Sequence, residues 1–163
     1  MHPRRLSHEL REETGGSLKQ RRAIVGLSLI AAGSMGIIAL YQMGIIKHLP
    51  EPPLPKLDAD KVDASEEAYA HLQAPDAVLG FGSYAATMAL AAVGGKNRAK
   101  EQPWLPVALA AKALVDAFQA ARLTRDQAVR HQAYCFWCLL AAAATFGTVP
   151  FALSEARAVL RAA

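Results

Sequence analysis

Long stretches without a charged side chain constrain this chain more than anything else in it. Residues 23–46, 77–95 and 133–153 run for 24, 19 and 21 residues with no Asp, Glu, Lys or Arg. A helix needs roughly 20 residues to cross the hydrocarbon of a bilayer. A fourth stretch, 103–121, is apolar apart from Lys112 and Asp116. A charge near mid-bilayer costs about 2.5–3.5 kcal/mol, but the i, i+4 spacing puts both groups on one helical face, where they neutralise each other. This stretch is read as a span; its rival reading is a helix lying at the interface. The expected fold is all-α, an integral membrane four-helix bundle.

The chain is 53% hydrophobic and 20% charged, which is consistent only if the charges are segregated. They are. The basic segment 1–22 carries Arg4, Arg5, Arg11, Lys19, Arg21 and Arg22; the link after the second stretch adds Lys96, Arg98 and Lys100, and the tail 154–163 adds Arg157 and Arg161. The loop after the first stretch has Lys47, Lys56 and Lys61 against seven acids, and the last short link has Arg122, Arg125 and Arg130. Basic residues flank the cytoplasmic ends of spans, so both termini are expected in the cytoplasm. The same clustering argues against nucleic acid as the partner of a chain with pI near 9.3. At 163 residues a single membrane domain, 23–153, is expected. The first apolar run is longer than the core of a signal peptide and no small-x-small site follows it before Lys47, so a retained helix is expected.

Between the spans, Pro50, Pro52, Pro53 and Pro55 impose an extended path. Residues 58–72 then fit a short amphipathic helix across the outer end of the bundle. Pro75-Asp76 opens the second span, Gly94-Gly95 closes it, and Pro103 opens the third. Thr124 suits a cap for the turn into the fourth span, and Pro150 falls near that span's far end. Ser28, Ala32 and Gly36 form a smooth stripe for close helix approach. Residues 1–22 are expected to be mobile.

The two cysteines are Cys135 and Cys138, at the outer start of the fourth span. At i and i+3 on a helix their sulfurs face the same way, and a helix N-terminus favours a thiolate. Disulfides persist on the extracytoplasmic side. His131, one turn earlier, would favour the thiolate further if protonated. Three readings remain open: a redox pair, two inert apolar residues, or a metal site. A metal needs further ligands, and only His131 is near, since His48 and His71 are loop residues; no metal is expected.

The four-span plan, the long outer loop and a Cys-x-x-Cys opening the last span resemble the vitamin K epoxide reductase family over about residues 20–155. Family members carry Cys-x-x-Val-x-x-Ser in the loop; here the run 59–65 keeps Val62 and Ser65 at that spacing, with Ala59 in place of the cysteine. The resemblance implies a helical bundle around a lipid quinone, of the ubiquinone or menaquinone class. It implies a redox-active disulfide in which Cys138 attacks the quinone and Cys135 exchanges with another thiol. Asp76 stands about where the family has a quinone-binding amide; a protonated aspartic acid can donate such a bond. Tyr84, Phe136 and Trp137 are candidates for the ring pocket, and aromatics at a span's end also serve as interface anchors.

Family members relay electrons through two loop cysteines, which this chain lacks. A thioredoxin-like extracytoplasmic protein must then reach Cys135 directly, or the chain has left the ordinary cycle. The expected function is a membrane thiol–quinone oxidoreductase, coupled to disulfide formation in exported proteins, in a bacterial inner membrane. The alternative is a non-catalytic scaffold or accessory subunit. A third reading makes Lys112 and Asp116 a proton or ion path.

Overall fold

Without water, apolar runs of this length can satisfy their backbone only as helix, and helix forms. The computed structural model describes residues 3–161 apart from His71. Among these residues there is no strand, only an isolated bridge between Leu57 and Tyr134. The helices are α1 (Pro3–Glu12), α2 (Gly16–Gln42), α3 (Ala59–Asp63), α4 (Asp76–Ala92), α5 (Arg98–Glu101), α6 (Trp104–Asp126) and α7 (Phe136–Leu160). A short 3-10 turn covers Glu66–Tyr69, and a π turn, Gln127–His131, prolongs α6.

The segments Ser17–Gln42, Trp104–His131 and Phe136–Leu160 are long and apolar enough to cross a membrane. α4 has 17 residues, about 25 Å at 1.5 Å per residue. So three helices reach spanning length where the sequence predicts four. α4 starts at Asp76 behind Pro75, as expected, but is cut short at its far end by extended Val93 and Gly94 (φ +87°). α2 stops at Gln42 rather than residue 46 because Gly44 turns the chain at φ +73°.

α2 packs between α4 and α7, while α6 packs on α7 and more lightly on α4. Small side chains let the backbones approach: Ala31, Ala32, Ala141 and Ala144 are buried. The predicted stripe is half right. Ser28 and Ala32 are buried, but a Cβ on Gly36 would meet nothing within 4 Å. The tight contacts lie elsewhere: a Cβ on Gly80 would sit 2.9 Å from Met35 Sδ, and one on Gly147 3.3 Å from Leu27 Cδ1. Leu29, Phe81, Val115, Phe118 and Phe146 point outward and are exposed, leaving an apolar belt on all four long helices.

Four local expectations change. The basic segment is not loose: residues 3–12 are helical, and Glu9, 2% exposed, accepts from Lys96 N at 3.2 Å. That hydrogen bond, with help from Arg5, holds the Glu9 carboxyl below its ordinary range. The loop helix over 58–72 divides into α3 and the 3-10 turn, because Ser65 is extended (ψ 153°); its His71 lies outside the described residues. Thr124 caps nothing; it sits inside α6 and its hydroxyl donates back to Ala120 O at 2.7 Å. The last helix starts at Phe136, not residue 133.

At the α4–α5 corner the chain buries two arginines. Arg21, 3% exposed, donates to the carbonyls of Ala91, Ala92, Val93, Gly94 and Gly95 at 2.7–3.1 Å. These are carbonyls at and just past the end of α4, which the helix itself leaves unpaired. Arg98 forks onto Glu155 at 2.7 and 2.6 Å and also donates to Leu90 O and Val93 O. Both members of the Arg98–Glu155 pair are 1% exposed.

Candidate active site

Cys135 is the N-cap of α7, extended at φ −92°, ψ 122°, and its sulfur accepts the Cys138 N–H at 3.2 Å. The approach to it is pinned on both sides. Tyr134 N donates to Lys56 O at 2.8 Å, Asp58 N donates to Tyr134 O at 3.0 Å, and Gln127 Oε1 accepts from Cys135 N at 3.0 Å. Cys135 is fully buried, packed in one cluster with Ala59, Val62 and Ile38, whereas Cys138 is half-buried. His131 is not one turn earlier on the same helix. It ends the π turn, and Gln132 (φ 51°) reverses the chain before the cysteines. His131 instead borders a small cavity that Cys138 and Asp63 also line.

The side chain facing both sulfurs is Asp63. Asp58 caps α3 by accepting from Lys61 N at 3.0 Å, and the turn carries Asp63 inward, 3% exposed. Cys138 Sγ donates to Asp63 Oδ1 at 3.6 Å. Burial pushes the Asp63 carboxyl up to about 6; hydrogen bonds from the two thiols oppose this, and nearby Asp76 and Glu51 add to it. The other oxygen, Oδ2, is buried with no hydrogen-bond partner. A carboxylate oxygen and both sulfurs lie within 4.8 Å of one another. As a cation site that is one donor short of the closed four-ligand set of a structural zinc.

Gln42 ties the surrounding elements together. Its amide nitrogen donates to Asp76 Oδ1 at 2.8 Å and Asp63 O at 3.2 Å, and its amide oxygen accepts from Ala77 N at 3.2 Å. Tyr69 OH donates to the Gln42 carbonyl at 3.2 Å. An amide thus stands beside Asp76 at the start of α4, contributed by α2.

Cys138, Asp63 and Asp76 open onto a cavity of about 520 Å³ between α2, α4, α6 and α7. Met35, Ile38, Leu79 and Ala141 supply apolar wall, and Tyr84 lines it with its hydroxyl 2.9 Å from Thr145 Oγ1. Asp116 and Ser83 form the polar far side. There Lys112 Nζ meets Asp116 Oδ2 at 2.6 Å and Ser83 Oγ at 2.9 Å, so the expected neutralising pair exists.

Of the residues singled out in the sequence, Cys138, Asp76 and Tyr84 therefore share one cavity. Val62 packs beside Cys135, and Ser65 borders the smaller cavity. Phe136 and Trp137 do not line the large one. Trp137 Nε1 donates to Pro50 O at 2.8 Å, and the two rings meet edge to face with centroids 5.3 Å apart. Sequence reasoning missed Asp63, Gln42 and Gln127. Only Asp63 left a signal, as an acid inside the Val62–Ser65 match.

A sequence profile described as the vitamin K epoxide reductase family matches residues 22–153. No curated protein and no solved structure matches the chain.

Proposed function

Because the chain belongs to the vitamin K epoxide reductase family, we propose that it is a membrane thiol–quinone oxidoreductase whose working sulfurs are Cys135 and Cys138. One observation carries the reading: Cys138 is on the wall of a cavity of about 520 Å³, with Cys135 Sγ within 4.8 Å of its sulfur. Cys138 attacks the quinone, Cys135 resolves the adduct, and the products are a disulfide and a quinol. A ubiquinone or menaquinone ring fits the chemistry of the walls. The Tyr84 hydroxyl, and Asp76 when protonated, can donate to its carbonyls, and the apolar wall takes the ring. In this reading α4 also spans, tilted or with local thinning of the bilayer, since Phe81 and Val78 leave it with an apolar outer face. Both termini are then cytoplasmic and the cysteines face the oxidising side of a bacterial inner membrane. A thioredoxin-like protein is the natural source of electrons.

The test is anaerobic mixing of the pre-reduced protein with a short-chain ubiquinone analogue. Quinol formation with a Cys135–Cys138 disulfide in the mass spectrum is expected. Thiols that stay reduced at every quinone concentration would remove the assignment.

A second reading, a non-catalytic scaffold or accessory subunit, draws on one specific observation. Ala59, standing at the family's loop-cysteine position, is 0% exposed in the same cluster as Cys135, also 0%. A partner cannot touch that sulfur until the loop moves. Unchanged cellular function in a Cys135→Ser, Cys138→Ser double variant would favour the scaffold.

A further inference from the structure

A thiol must lose its proton before its sulfur attacks a quinone ring, and in a closed site that proton needs a fixed acceptor. Resting on the dithiol–quinone reading above, we propose that Asp63 is the catalytic base: its carboxylate takes the proton of Cys138 and hands it to the reduced quinone. Asp63 Oδ1 already accepts from Cys138 Sγ at 3.6 Å, and Oδ2 is buried without a partner, so one oxygen reaches the sulfur while the other is unengaged. Asp63 and Cys138 line the same cavity, so donor, acceptor and substrate ring meet there. The carboxylate is held independently of the helix that bears the sulfurs, through the cap on α3 and the bond from Gln42 to Asp63 O.

Its surroundings suit a base that works near neutral pH. From α7 it faces the two thiols, from α4 Asp76, and from the proline-rich loop Glu51. Tyr41 of α2 donates to Asp60 O at 3.3 Å on the same short helix, and Arg130 and His131 border the smaller cavity beside it. Arg130 is engaged at 3.7 Å with both Glu67 and Asp126. Burial and the neighbouring acids bring the Asp63 carboxyl to about 6, where a base is both ionised and basic enough to act.

The steps balance. The Cys138 S–H bond breaks, its proton passes to Asp63, and the sulfur bonds to the quinone. Cys135 sulfur then attacks Cys138 sulfur; the S–S bond forms, the bond to the ring breaks, and the electron pair leaves with the quinol. The quinol collects the proton held by Asp63 and the one released by the Cys135 thiol. Two thiols are oxidised, one quinone is reduced, and no other reactant enters.

Single-turnover quinone reduction by pre-reduced protein, followed against pH, tests this. The wild-type rate should rise through about pH 6. Asp63→Asn should slow it about 100-fold and flatten that rise, and Asp63→Glu should restore part of both. If Asp63→Asn keeps the rate and the profile, Asp63 is not the base, while the quinone reading stands. A wild type that yields neither quinol nor disulfide overturns both. Infrared titration of the reduced wild type needs no variant: a buried carboxylic-acid band that disappears near pH 6 supports the assignment, and a carboxylate ionised throughout overturns it.

Discussion

Arg98 and Asp63 are almost equally hidden, 1% and 3% exposed, yet their surroundings treat them oppositely. Arg98 meets Glu155 through two short bonds and spends its remaining hydrogens on carbonyls. Asp63 has only the weak donors of the two thiols, an oxygen without a hydrogen-bond partner and, among the described residues, no ion pair. A buried charge is tolerated when its partners are complete. Where they are incomplete, the group gives up its charge or keeps the strain for chemistry. The arginine end therefore reads as structure, and the cysteine end suits the proposed chemistry.

Removing one member of the complete set should have the largest effect. Arg98→Ala leaves Glu155 buried and unpaired and should cost about 3–5 kcal/mol in unfolding experiments in lipid or detergent. Replacing both members, Arg98→Met with Glu155→Leu, should return most of it. A small loss from Arg98→Ala alone would break the comparison. Arg21→Ala strips the donor from the end of α4 and should cost about 2–3 kcal/mol. Arg21→Lys should recover part of this, since an ammonium cannot span five carbonyls as a guanidinium does.

At the cysteine end the sign reverses. The Asp63 carboxyl ionises near 6 in the folded protein against an ordinary 3.8. Below about pH 4 both states hold the proton and nothing is lost. Between 4 and 6 the unfolded chain releases it while the folded chain keeps it, so stability falls as pH rises and levels off above 6. The loss is on the order of 3 kcal/mol. Asp63→Asn should abolish that slope and leave the protein more stable than wild type at pH 7. Thermal unfolding of the two proteins at pH 4 and pH 7 separates the outcomes.

How far the sequence carried the reading follows the same division. Apolar runs and charge segregation give the long helices because those patterns depend on local composition. The ends of the helices were less legible. Gly44 and Gln132 turn the chain through positive φ, which composition does not announce, and the break at Gln132 took His131 off the cysteine helix. The cysteine pair was legible because its spacing is local. Asp63 and Gln42 were not, since each matters through contacts 75 and 34 residues away. Arg98 looks like a topology signal in the sequence because its partner Glu155 lies 57 residues on.

The smallest effect on stability should come from the residues with the largest effect on chemistry. Cys135 is fully buried, so a hydroxyl in its place would normally be costly. Here its sulfur already accepts an N–H from the first turn of α7, and serine is among the best residues for that capping role. Cys135→Ser should therefore keep the fold within about 1 kcal/mol while removing the sulfur proposed to resolve the adduct. Treated with quinone, such a variant should stall with the ring still bonded to Cys138, a mass shift absent from Cys138→Ser. A loss of stability as large as that of Arg98→Ala would instead make the cysteine pair a structural element, and the two ends of the molecule would cease to differ in kind.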